Sequence, residues 1–85
     1  MVIYLTDVDG ILLNTMDRIH KFSDIINSYP CDIDAMSHDN HYIVDAKSIM
    51  GIFSLDVSNP IVVRIHADSI EQVDDFKNKM KEFVA

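Results

Sequence analysis

Eighty-five residues make one small domain, since a second core would leave each half near the ~40-residue length below which chains usually need disulfides, metal or a partner. Hydrophobic residues at 48%, charged residues at 25%, and only two Gly and two Pro exclude collagen-like, low-complexity and disordered chains. A formal charge of −7 argues against binding a phosphate backbone, and the lone Cys31 with no signal-like or membrane-spanning apolar run points to a cytoplasmic protein with no nucleic-acid or membrane partner.

Val2–Val8 is rich in β-branched and aromatic residues, and Asp9-Gly10 then gives a turn signal, so the first strand is expected to end there. From Asn14 or Thr15, either of which is a suitable N-cap, apolar residues recur at Met16, Ile19, Phe22 and Ile26, which predicts a first helix of about 13 residues. Asp17 suits the positive end of that helix, and Pro30 prevents continuation much past Ser28. Cys31, Ile33 and Ala35 alternate with Asp32 and Asp34, the period of a half-buried strand. The turn cluster Ser37-His38-Asp39-Asn40 leads into a third strand over His41–Val44, an antiparallel hairpin.

Ala46–Leu55 is compatible with two turns of helix, weakened by Gly51. After Asn59-Pro60, the alternation of Ile61, Val63, Ile65 and Ala67 with Val62, Arg64 and His66 predicts a fourth strand. Overlapping capping signals at Asp68–Gln72 open a last helix with Ile70, Val73, Phe76, Met80 and Phe83 on one face. Its acidic first turns and lysine-rich last turns match the helix dipole. The order β-α-β-β-α-β-α is an α+β domain over residues 1–85: a four-stranded antiparallel sheet with three helices on one face and the other face in water.

That order, with Asp45-Ala46-Lys47-Ser48-Ile49-Met50-Gly51-Ile52-Phe53-Ser54-Leu55 at its centre, resembles HPr, the histidine-containing phosphocarrier protein of the bacterial sugar phosphotransferase system. Lys47-Ser48-Ile49-Met50-Gly51 has the form typical of low-GC Gram-positive HPr, and residues from about Met16 to Ala85 fall into place. The resemblance implies an HPr-like open-faced β-sandwich. It also implies a regulatory phosphorylation site at Ser48, served by an HPr kinase-like enzyme, and a docking surface of Lys47, Ile49, Met50, Ile52 and Phe53. Transcription factors or phosphotransferase-system components would be its other partners.

The family's phosphocarrier motif, Gly-x-His-x-Arg-Pro-Ala, is absent. Aligned on Phe22, Thr15 stands where the family has its phosphorylated histidine, Asp17 where it has arginine and Arg18 where it has proline. A threonine ester does not pass on a phosphoryl group as a phosphoimidazole does, and Asp17 repels phosphate where a guanidinium would clamp it. The expectation is a non-enzymatic regulatory or adaptor protein without histidine phosphotransfer, needing no cofactor or metal.

Two other readings stand beside it. His20, further along the first helix, is a candidate non-standard phosphoryl acceptor. The strand running into Asp7-Val8-Asp9-Gly10-Ile11-Leu12 resembles the first motif of haloacid-dehalogenase-like phosphatases, which implies Asp7 as nucleophile, Asp9 as acid and base, a bound Mg²⁺ and a parallel sheet. His20, His38, His41 and His66 share no metal-ligand spacing with Cys31.

Overall fold

In the computed structural model, which describes residues 2–39 and 41–85, the chain forms β1 (Tyr4–Ile11), α1 (Met16–Asn27), β2 (Ile33–Met36), β3 (Ile43–Asp45), α2 (Ile49–Ser54), β4 (Ile61–Ala67) and α3 (Ile70–Met80). A 3₁₀ turn, Lys81–Phe83, follows. Asn40, part of the expected turn cluster, lies outside the described residues. The strands form one sheet in the order β1-β4-β2-β3, and every neighbouring pair is antiparallel. Two crossovers, β1-α1-β2 and β3-α2-β4, each skip one strand, so the parallel partners flank an antiparallel one. Such an arrangement contradicts the parallel sheet implied by the phosphatase resemblance.

Each helix begins where a hydroxyl side chain accepts an otherwise unpaired N–H. Thr15 accepts from Arg18, Ser48 from Gly51 and Ser69 from Gln72. Gln72 returns a bond through Oε1 to the Asp68 N–H at 3.0 Å, a capping box set one residue earlier than usual. From α1, Ile19, Phe22 and Ile26 face inward, whereas Met16 in the first turn is exposed. From α3, Phe76 and Met80 are buried and Ile70 is exposed; the helix stops at Met80, and the 3₁₀ turn carries Phe83 inward. These side chains meet Ile61, Val63, Ile65 and Ala67 of β4 in one core, with Phe22 edge-on to Phe83 at 5.6 Å between ring centroids.

β1 continues past the expected turn. Val8 pairs with Val63 and Ile11 with Ile61, so the Asp9-Gly10 segment holds one residue more than the facing strand. Gly10 has φ +74°, a conformation L side chains rarely adopt, and Asp9 Oδ1 accepts its N–H at 2.7 Å. The dipeptide therefore marks a β-bulge inside the strand. β3 is shorter than expected, since His41 and Tyr42 precede it. Nor is the outer sheet face wholly wet: Met36 and Val62, paired across β2 and β4, are both buried there outside the main core.

Gly51 has a purpose that helix propensity conceals. A Cβ at this position would lie 3.2 Å from Val44 Cβ and 3.3 Å from Asp45 O, so the missing side chain lets α2 sit against β3.

Candidate functional site

The start of α1 is one of two places where an exposed hydroxyl caps a helix. Thr15 has extended dihedrals, φ −135° and ψ 155°, and its Oγ1 accepts the Arg18 N–H at 3.2 Å. It is exposed, as is Asp17 in the first turn. Arg18 turns away toward the end of the chain: Nε donates to Leu12 O at 2.8 Å, Nη2 donates to Glu82 O at 3.3 Å, and the guanidinium lies 5.6 Å from the Phe83 ring centroid. Arg18 is thus a tie between the β1–α1 loop and the 3₁₀ turn. His20 is exposed five residues beyond Thr15, about 140° round the helix axis at 100° per residue.

The second place is α2. Asp45 Oδ1 accepts the Lys47 N–H at 2.9 Å and Asp45 O accepts the Ser48 N–H at 3.0 Å, which shapes the turn into the helix. Ser48, exposed, accepts the Gly51 N–H through Oγ at 3.1 Å. Ile49, Met50 and Phe53 are 39%, 81% and 49% exposed, whereas Ile52 is 2% exposed. The spacing explains the division: residues 49, 50 and 53 share one side of so short a helix, and residue 52 faces the core.

Two expected docking residues are therefore reassigned. Ile52 belongs to the core because it is the buried contact that fixes α2 to the sheet. Lys47 is half-buried, and its ammonium donates to Tyr29 O at 2.6 Å, joining the α1–β2 connection to the entry of α2.

Asp7 and Asp9 are not brought together as a catalytic pair. Asp7 receives a two-point contact from Arg64, Nε to Oδ1 at 2.7 Å and Nη2 to Oδ2 at 3.0 Å, across β1 and β4. That pairing raises the Arg64 pKa through the hydrogen bond first and the charge second. Asp9 caps Gly10 and lies 3.6 Å from His38 Nδ1, at the rim of a cavity of about 750 Å³ that also touches Asp39, Asp56 and Pro60. This cavity was not foreseen from the sequence, in which its residues read as three separate turn clusters.

Its carboxylates are occupied locally. The Ser37 hydroxyl, then the His41 N–H, hold Asp39 below the usual carboxylate range; Ser58 and Asn59 do the same for Asp56. Among the described residues no three His, Cys, Asp or Glu side chains are placed to hold a metal ion, and no helix is long and apolar enough to cross a membrane. Cys31 packs beside the core, where burial pushes its thiol pKa up and so away from nucleophilic use.

Four antiparallel strands in this order, with split crossovers and helices on one face, define an α+β open-faced sandwich of the HPr type. The structural likeness is to the crystal structure of HPr-C-His from Thermoanaerobacter tengcongensis: TM-score 0.59 and 24% sequence identity, over 95% of this chain and 97% of that one. No protein-family model matches the chain, and no curated protein matches it. The chain has the HPr fold.

Proposed function

We propose that this protein is a non-catalytic, cytoplasmic regulatory or adaptor protein related to the phosphotransferase system, which docks to other proteins through Ile49, Met50 and Phe53 and is switched by phosphorylation of Ser48. The carrying observation is the contrast between the two helix starts. At α2 an exposed serine hydroxyl sits beside three exposed apolar side chains; at α1 the helix start carries a threonine cap and Asp17.

The chemistry favours modification over relay. An ATP-dependent kinase would form a bond from Ser48 Oγ to the γ-phosphorus, releasing ADP and the hydroxyl proton. The product is a stable ester carrying about −1.5 to −2 charge at neutral pH. Placed next to Met50 and Phe53, that charge would repel an acidic partner and recruit one bearing Arg or Lys, with the flexible methionine adapting to either surface. A transcription factor, a phosphotransferase-system component or the kinase itself are the partners this surface would serve. No cofactor or metal is required.

The test is incubation with γ-labelled ATP and an HPr kinase, comparing wild type with Ser48→Ala and Met50→Lys. Stoichiometric acid-stable label on wild type, none on Ser48→Ala and slowed labelling of Met50→Lys are expected. Equal labelling of wild type and Ser48→Ala, or no labelling of either, would remove the switch.

A further inference from the structure

We infer that Lys47 carries the Ser48 switch into the fold: a phosphate on Ser48 takes the Lys47 ammonium away from Tyr29 O and so loosens the end of α1. The inference rests on the phosphorylation proposed above and adds what that charge does inside the molecule.

Lys47 is the single Lys or Arg between Lys21 and Arg64, and it stands next to Ser48 in the chain. It is half-buried, and its ammonium meets a neutral group, Nζ donating to Tyr29 O at 2.6 Å. Lys21, Arg64 and Lys79 have carboxylate partners at 2.8, 2.7 and 3.2 Å, whereas among the described residues the Lys47 ammonium has none. An ammonium held partly out of water, with three donors and no counter-ion, lacks the group that stabilises it best.

The tie to Tyr29 matters to α1. That helix has no basic residue in its last turn, and it ends with Ser28 N–H on Ile25 O at 3.1 Å and Tyr29 N–H on Ile26 O at 3.2 Å. A cation beside the last carbonyls offsets the negative end of a helix dipole, and Lys47 supplies one from another element. Pro30 follows and has no N–H with which to hold the connection itself.

A phosphoserine brings about −1.5 to −2 charge and three acceptor oxygens. Neighbouring Cα atoms are about 3.8 Å apart, and the flexible four-carbon stem of lysine lets its ammonium reach a phosphate on the next residue by side-chain rotation alone. Asp45 Oδ1, accepting the Lys47 backbone N–H at 2.9 Å, fixes the turn while the side chain moves. In exchange for a neutral carbonyl the ammonium gains a charged acceptor, the stronger of the two bonds. The end of α1 loses its cation in the same step.

Chemical synthesis of the 85-residue chain with phosphoserine at position 48 tests this, and its result does not depend on whether a kinase recognises Ser48. Phosphorylated and unmodified chains are compared in wild type, Lys47→Met and Lys47→Arg. In ³¹P NMR titration the second ionisation of the phosphate is expected at lower pH in wild type and Lys47→Arg than in Lys47→Met. Amide exchange at Ser28 and Tyr29 is expected to become at least about threefold faster on phosphorylation of wild type, and to be unchanged on phosphorylation of Lys47→Met. The same phosphate ionisation with and without the Lys47 ammonium would overturn the inference. So would unchanged exchange in phosphorylated wild type, or an equal rise in Lys47→Met.

Discussion

Truncating Ile52 and Met50 separately tests the division of α2 into an inward and an outward side. Ile52 is 2% exposed and is the only buried residue of this six-residue helix, so Ile52→Ala removes a buried side chain and leaves a cavity beneath α2. Such changes cost about 2–5 kcal/mol, against roughly 4–13 kcal/mol of total stability for a domain of this length. At roughly 4–8 °C per kcal/mol, a loss of about 3 kcal/mol lowers Tm by roughly 12–24 °C. Met50, 81% exposed, loses only surface contacts with solvent, and Met50→Ala should stay within about 0.5 kcal/mol of wild type. Urea unfolding followed by far-ultraviolet circular dichroism measures both. Equal destabilisation by the two variants, or a loss below about 1 kcal/mol for Ile52→Ala, would mean that α2 packs by another side and that Met50 is not available for docking.

Other parts of the molecule make further demands. Tyr29 is buried and its hydroxyl donates to Asp75 Oδ2 at 2.7 Å; burial, then that bond, raises the tyrosine pKa, while the same bond, followed by Lys79, lowers that of Asp75. Tyr29→Phe should therefore cost about 1 kcal/mol near neutrality, a discounted figure because Asp75 is half-exposed. The raised tyrosine contributes stability below its ordinary pKa that disappears as pH climbs through the folded value. The lowered carboxylate contributes above its ordinary pKa, and this is lost as pH falls. Stability measured from pH 2 to 11 should accordingly fall less steeply at both ends for Tyr29→Phe, and unchanged limbs would contradict the pairing. Gly10→Ala should destabilise by about 1 kcal/mol through backbone strain alone, since a Cβ there meets only Val84 Cγ1 at 4.0 Å; an unchanged urea midpoint would contradict the bulge geometry. Arg18→Ala should increase amide exchange at Leu12 and in the 3₁₀ turn before it affects α2, read by hydrogen exchange.

Much of the fold was legible because local signals and burial agreed. Ile61, Val63, Ile65 and Ala67 fall at every second position of the strand and all face the core, and Ser69 with Gln72 marks the start of α3 in both chemistry and structure. What stayed hidden depended on tertiary context. Asp9-Gly10 has the composition of a turn, and only pairing with β4 makes it a bulge. Gly51 looks like a weak point for a helix until the approach of Val44 is known. At the site, Ser48 and the apolar run were visible from sequence, but which members faced out was not, because in a two-turn helix a single residue decides the packed side. Lys47 was misread for a related reason: a long side chain is assigned to solvent by default, and a carbonyl eighteen residues away captures it here.

The claim beneath the proposed function is that this molecule cannot relay activated phosphorus because the group at the start of α1 is Thr15. Incubating the protein with phosphoenolpyruvate and enzyme I, then analysing it by ³¹P NMR and by acid treatment, measures this directly. No acid-labile phosphohistidine is expected on wild type, and His20→Asn should behave identically. Stoichiometric phosphohistidine that passes to a downstream sugar-uptake component, and that vanishes in His20→Asn, would contradict the claim and make the protein a phosphocarrier after all.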